Sequence, residues 1–176
     1  FLKSFPSIHF FYHFCPKDVY TYFMSSELEK IIENLETVFR GDAWHGPSVL
    51  EMLNSLPPGE VDQKHGFSKR TIAELTYHMI AWRKFIIEKL KDNIHFTLET
   101  DEDNWGTLET TSQEGWKDLI QLFKDTQKKL VELLEEKDDA FLTKRVPGEH
   151  YDYYKLITGL IQHDTYHLGM IWVLWE

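Results

Sequence analysis

Two histidines, His163 and His167, stand four residues apart near the end of the chain. Four residues are slightly more than one turn of an α-helix, so both imidazoles leave one helix face and can converge on a single ion. A third histidine, His78, lies in a separate apolar segment with helical periodicity. Three neutral imidazoles from two helices are typical of a metal site that keeps one position open for water or substrate.

The alternative is that these residues are core histidines held by hydrogen bonds. Their neighbours on the helical stripes are apolar: Leu75 and Trp82 beside His78, and Leu156, Leu160 and Ile171 beside the other two. These stripes must face the interior of the fold, where a polar ring costs free energy unless it finds a partner. A metal ion would partner all three rings, so the pattern favours a metal site.

Other metal signatures fit this chain less well. A zincin helix requires glutamate after its first histidine, and this chain has Asp164 there. A ferritin-like site requires two Glu-x-x-His pairs on helices, and no such pair stands on a helical pattern. The run 101–106 begins like a calcium loop but has Trp105 at its fifth position. We predict that residues 93–111 form a solvated acidic loop.

Helical periodicity and start signals predict an all-α fold. Ser26 and Glu29 form a capping box before the first long helix, and Thr71 and Glu74 form one before the second. A third box, from Thr111 to Glu114, opens a third long helix, and a last helix follows Asp152. Pro47 opens a short extra helix after the first long one. Four long amphipathic segments without alternating strands predict a four-helix bundle.

Length and composition limit the functions that the chain can have. A chain of 176 residues fits one domain, which we place at residues 24–176. Residues 1–23 are an aromatic-rich lead, and Met24 stands just before the first helix start; we interpret the lead as upstream sequence, neither signal nor anchor. The net charge of −10 disfavours nucleic acid, and no apolar run suggests a membrane span. The single cysteine, Cys15, fits a reducing cytoplasm.

Three segments together resemble the DinB-like, YfiT-related family of helical bundle proteins. They are residues 39–48 (FRGDAWHGPS), 72–82 (IAELTYHMIAW) and 159–171 (GLIQHDTYHLGMI). The resemblance covers Met24 to Trp175 and implies a DinB/YfiT-like four-helix bundle. It also implies that His78, His163 and His167 are the metal triad, with zinc or nickel as the ion. Members of the family form homodimers, and several transfer or isomerise small thiols such as bacillithiol or mycothiol.

The expected function is that of a divalent-metal-binding protein that acts on a small molecule. As an enzyme it would be a thiol-dependent S-transferase or isomerase, or a hydrolase, in which a metal-bound water or thiolate attacks the substrate. Any thiol would be external and of low molecular weight, because residues 24–176 contain no cysteine. The alternative is a non-catalytic module in which the ion stabilises a helical dimer or a small-molecule-binding site.

Two further polar residues are candidates for the catalytic role. His45 follows the first helix and would line the open side of the metal, or it would be a turn histidine bonded to backbone. Asp164 would orient a ligand histidine, or it would form a salt bridge at the surface or between helices. Glu74 would flank the ion or serve only as a cap. We expect Trp44, Trp82 and Tyr166 to be packing residues, and histidines 9, 13, 65, 95 and 150 to be exposed.

Overall fold

The computed structural model describes residues 25–64, 68–107 and 112–175. Within these ranges the chain forms helices and no strand. The helices are α1 (Glu27–Arg40), α2 (Val49–Ser55), α3 (Ile72–Leu90), α4 (Asp101–Trp105), α5 (Gln113–Glu135), α6 (Asp139–Leu142) and α7 (Tyr153–Trp175). The interpretation of residues 1–23 and the predictions for Cys15, His65 and Thr111 lie outside the described residues.

The four long helices, α1, α3, α5 and α7, form the bundle. Helix α3 packs against both α5 and α7, and α1 packs against the same two helices. The helices therefore alternate around the core in the order α1, α5, α3, α7. The prediction of an all-α helical bundle is confirmed, and no helix within the described ranges is long and apolar enough to cross a membrane.

Side-chain caps set where the first helices begin. The Ser26 oxygen accepts the Glu29 N–H at 3.1 Å, and the Glu29 carboxylate accepts the Ser26 N–H at 2.7 Å. The Thr71 and Glu74 pair at the start of α3 has the same reciprocal geometry. Both capping boxes match the sequence prediction, because each satisfies backbone donors that the first helical turn leaves unpaired.

Two predicted helix starts are wrong by one or two residues. Helix α2 begins after Ser48 rather than at Pro47, because Ser48 and Glu51 form a capping box of their own. Helix α5 begins after Ser112, whose oxygen accepts the Gly115 N–H at 3.0 Å. The predicted capping residue, Thr111, is one position earlier.

The prediction of an acidic loop over residues 93–111 is also wrong in part. Residues 101–105 form the short helix α4, which packs against α3. A capping box starts it: the Thr100 oxygen accepts the Asp103 N–H, and the Asp103 carboxylate accepts the Thr100 N–H, both at 3.0 Å. The short helix α6 was not predicted either.

A polar network inside the bundle takes one residue from each long helix. On α3, Arg83 is fully buried and donates two hydrogen bonds to the Asp164 carboxylate on α7, at 3.0 and 2.5 Å. Its Nε donates to the Gln127 oxygen on α5 at 2.9 Å, and Gln127 donates to Glu36 on α1 at 2.7 Å. The network therefore fixes how the four helices sit against one another.

The Arg83–Asp164 ion pair is completely removed from solvent. Burial has the largest single effect and would raise the pKa of the Asp164 carboxyl, but the charge and hydrogen bonds of Arg83 together with the neighbouring His163 hold that pKa below its usual value. The guanidinium also lies over the Phe123 ring, with its carbon 4.4 Å from the ring centroid. Neither charge has water to replace its partner, so each depends on the other.

We expect Asp164→Ala to destabilise the metal-free protein by about 3–5 kcal/mol, because Arg83 would remain charged and buried without its partner. Urea denaturation followed by circular dichroism measures this loss. The paired substitution Arg83→Met with Asp164→Leu should cost much less, since it removes both charges. As a control, the exposed Asp118→Ala should change stability by no more than about 0.5 kcal/mol. A similar loss in the single and paired variants would contradict the prediction.

Candidate metal centre

The three histidines that the sequence singled out meet between α3 and α7. The Nε2 atom of His163 lies 3.0 Å from Nε2 of His78 and 3.1 Å from Nε2 of His167. His163 and His167 occupy successive turns of α7, and His78 lies in the middle of α3, which packs against α7. The three rings converge because α3 and α7 face each other at the turns that carry these histidines.

The donor set and its spacing fit a divalent metal ion. Each of the three residues offers a ring nitrogen within 4.8 Å of the others. Nitrogens bound to one tetrahedral ion at about 2.0–2.1 Å would lie about 3.3 Å apart, a few tenths of an ångström more than the two measured separations. The three histidines could therefore hold a metal ion after a small outward movement of the rings.

A backbone carbonyl determines which nitrogen of His78 is free. The Nδ1 atom lies 3.1 Å from the carbonyl oxygen of Asn104, in α4. Because a carbonyl only accepts, Nδ1 carries the ring proton, and Nε2 of the neutral ring presents its lone pair to the other histidines. This arrangement is common in metal sites, where a partner on the far nitrogen orients the ligand ring.

Helix α4 also holds the His78 ring by stacking. The Trp105 ring lies parallel to His78, with centroids 3.9 Å apart and an interplanar angle of 7°. The guanidinium carbon of Arg70 lies 4.5 Å from the centroid of the Trp105 ring. Arg70 in turn donates to both Asp101 oxygens, at 2.8 and 2.7 Å, so α4 is fastened at both ends. Sequence reasoning missed Trp105; the Thr100–Asp103 capping signal could have revealed its helix.

Burial keeps two of the rings neutral. Removal from water, followed by the nearby His163, lowers the pKa of His78 to about 4. The same causes, with a contribution from His78, lower the pKa of His167 to about 3. At neutral pH both imidazoles are therefore uncharged, which is the protonation state that metal ligation requires.

The Nδ1 atoms of His163 and His167 are buried and have no hydrogen-bond partner among the residues that the structure describes. Nδ1 of His163 lies 3.8 Å from the Asp164 carboxylate, which is too long for a hydrogen bond. Of the two roles expected for Asp164, the structure shows the salt bridge between helices. When Nε2 of His163 presents its lone pair to a metal ion, Nδ1 carries the ring proton, and a small ring shift that brings this donor onto Asp164 would then be favourable.

An apolar cavity of about 170 Å³ lies beside the histidines, between α3 and α7. We call it the α3–α7 pocket. Its lining comprises Trp82, Ile86, Tyr151, Lys155, Leu156, Gly159, Leu160 and His163. His163 is the histidine of the three that lines it; its side chain keeps 23% of its exposure, whereas His78 and His167 are buried. The pocket therefore borders the histidine cluster at His163.

The other candidates, His45 and Glu74, are not part of the histidine cluster. His45 is exposed and lines a different groove, with Leu168 and Trp172. The Glu74 carboxylate accepts the Thr71 N–H and contacts Arg70 at 3.3 Å, so it serves as a cap and an ion-pair partner.

Of the three residues predicted to pack in the core, one does so and two are exposed. Trp82 packs edge-on against Phe85, with ring centroids 5.4 Å apart, and also lines the pocket. Trp44 and Tyr166 are 102% and 66% exposed, so their assignment to packing was wrong. The prediction that His95 and His150 are exposed is confirmed.

The fold and the cluster agree with a comparison to known families. Residues 44–171 match the family model described as DinB superfamily. This range is well over half of the chain and contains all three histidines. No curated protein sequence and no solved structure matches the chain.

The lowered pKa values of His78 and His167 predict how the stability of the metal-free protein depends on pH. Their folded pKa values, about 4 and about 3, lie below the unfolded value of about 6.5. Between these limits the unfolded chain takes up protons that the native state does not, so the free energy of unfolding should fall as pH drops from about 7 to 4. Urea denaturation at intervals of half a pH unit measures the slope.

Matched variants assign that slope to the cluster. His167→Gln should flatten the decline between pH 7 and 5, where few carboxylates titrate. His150→Gln, which changes an exposed histidine, should leave it as in the wild type. Equal slopes in the two variants would mean that buried imidazoles do not cause the effect.

Proposed function

The chain belongs to the DinB superfamily, and on that premise we propose that it is a metal-dependent enzyme acting on a small molecule. His78, His163 and His167 would bind one divalent ion, and a remaining coordination position would be used in the reaction. The convergence of three Nε2 atoms, with separations of 3.0 and 3.1 Å, is the observation that carries the proposal.

Hydrogen bonds among the rings alone do not account for this convergence. A neutral imidazole has one N–H, and His78 uses its own on the Asn104 carbonyl. The Nε2 atom of His163 can donate one hydrogen bond with good geometry, either to His78 or to His167. When it does, Nδ1 of His163 carries no proton and is a buried acceptor without a donor. A cation that accepts three lone pairs satisfies all three Nε2 atoms at once.

The surroundings of the cluster favour catalysis over a purely structural role. Within the described ranges the cluster comprises three ligand residues, whereas a closed structural zinc site normally has four. The α3–α7 pocket borders it at His163, which would give a small molecule a place to bind beside the ion. When bound, the ion would act as a Lewis acid towards one further ligand.

The chain's own residues hold this site rather than react. Asn104 and Trp105 orient His78 from α4, and the Arg83–Asp164 pair sets α3 against α7. We propose S-transfer, isomerisation or hydrolysis as the reaction, with an external thiol as the sulfur source where one is needed. Zinc or nickel as the ion, a homodimer and a cytoplasmic location stay predictions.

We expect His163→Ala to lose most of its bound metal, because two imidazoles bind a divalent ion much more weakly than three. Elemental analysis of protein purified without an affinity tag measures the metal content per chain. His150→Ala removes an exposed histidine and should keep the wild-type content. Equal metal content in the two variants would reject the assignment of the ligands.

An open coordination position should be visible by spectroscopy. In the cobalt-substituted protein, azide or a small thiol should change the visible absorption, because the added ligand enters the coordination sphere. Titration of each ligand gives its affinity for the site. A spectrum that responds to none of them would favour the alternative, a closed site in a non-catalytic module.

A further inference from the structure

The α3–α7 pocket is apolar along most of its wall. Trp82 and Ile86 contribute from α3, and Leu156 and Leu160 contribute from α7. His163 closes one part of the wall, and it belongs to the histidine cluster. The pocket therefore places an apolar environment directly beside the position where the proposed reaction would occur.

We propose that this pocket binds an apolar group of about the size of one phenyl ring. The substrate of the metal-dependent reaction would then be a small molecule that carries such a group next to its reactive polar atom. This inference rests on the proposed function for the reaction, but binding of the apolar group itself does not require a metal.

The volume sets the size of the group. The pocket measures about 170 Å³, and an apolar protein cavity of about 150 Å³ holds one benzene molecule. A thiol cofactor with several polar groups is too large and too polar to enter as a whole. The pocket therefore fits the apolar part of the substrate, while any external thiol would approach from elsewhere.

Gly159 lines the pocket and, having no side chain, leaves part of its space open. Gly159 lies in the interior of α7, one turn before His163, where glycine is among the least favourable residues for a helix. A Cβ atom built on Gly159 would have no other atom within 4 Å, so a larger residue would enter empty space. A side chain at position 159 would therefore reduce the room for a ligand.

The polar groups of the wall carry no negative charge at neutral pH. Burial, followed by the nearby Glu149, raises the pKa of Tyr151 to about 12, so its phenol stays protonated. Lys155 is exposed, and its ammonium lies 5.9 Å from the Tyr151 ring centroid. A neutral or anionic substrate is therefore compatible with this wall, and a cationic one is disfavoured by Lys155.

Fluorobenzene is a suitable probe of the pocket because it has no metal-binding group. Titration followed by ¹⁹F NMR should show saturable binding to the wild-type chain, both with and without zinc. Gly159→Leu should weaken this binding by about tenfold or more, because the leucine side chain fills the space that the ring would occupy. Gly159→Ala should have a smaller effect in the same direction.

Gly169→Leu is the matched control. Gly169 lies on the same helix, is exposed, also has open space at its Cβ and lies outside the pocket lining. The substitution raises helix propensity equally, so it should leave fluorobenzene binding unchanged. Circular dichroism should show wild-type helicity for all three variants. Equal affinity in Gly159→Leu and the wild type, or no saturable binding to the wild type, would overturn the proposal.

Two hydroxamates test the link to the reaction site in the zinc-loaded protein. Benzohydroxamate and acetohydroxamate share the metal-binding group and differ in the apolar one. The wild type should bind the benzoyl compound about tenfold more tightly or better, and Gly159→Leu should remove that preference. Equal affinities in the wild type would overturn the proposed substrate class.

Equilibrium dialysis with zinc on the same samples separates this inference from the proposed function. Zinc binding without fluorobenzene binding would overturn the pocket and leave the metal site in place. Fluorobenzene binding that depends on Gly159, together with no binding of zinc or, in a parallel dialysis, of nickel, would support the pocket and reject the proposed function.

Discussion

The buried ion pair between Arg83 and Asp164 is the constraint on which the rest of the structure depends. It joins α3 to α7, the two helices that carry the histidine cluster, and Gln127 and Glu36 extend it to the other two long helices. Each helical residue advances the chain by about 1.5 Å, so a slip of one residue would separate nitrogens that now lie 3.0 Å apart. Apolar packing tolerates such slips better than a bidentate ion pair does, because the latter has one favourable geometry.

The cluster itself is costly to the fold without an ion. Burial lowers the pKa of two of its rings, and within the described part of the chain the Nδ1 atoms of His163 and His167 have no hydrogen-bond partner. Such groups lower stability unless something else satisfies them. The buried ring nitrogens and the helical glycine Gly159 lie in the same part of the bundle, and each is unfavourable for stability. Departures from good local packing are expected where a protein keeps room for a ligand.

The sequence predicted the parts of this arrangement that follow from local periodicity. The capping boxes at Ser26 and Thr71 placed two long helices, and the stripes on α3 and α7 placed the histidines towards the interior. Arg83 was missed because α3 is buried around most of its circumference, so the stripe argument could not select it. Helix α4 was missed because five residues, three of them acidic, look like a solvated loop. Its stability comes from contacts with Arg70 and His78, which lie far from it along the chain.

Through those contacts, α4 orients a residue of the histidine cluster. Its Asn104 carbonyl and Trp105 ring hold His78, and the Trp105 ring also lies edge-on to His167, with centroids 6.5 Å apart. His163 and His167 themselves are carried by α7. One histidine of the cluster therefore depends on a segment outside the four long helices. Ordering of α4 and occupancy of the cluster are then linked equilibria: a cation would favour the docked segment, and undocking would raise the dissociation constant by the same factor. Because the two equilibria are linked, a substitution of Arg70 or Asp101 that alters the docking of α4 would also alter the affinity of the histidines for a cation.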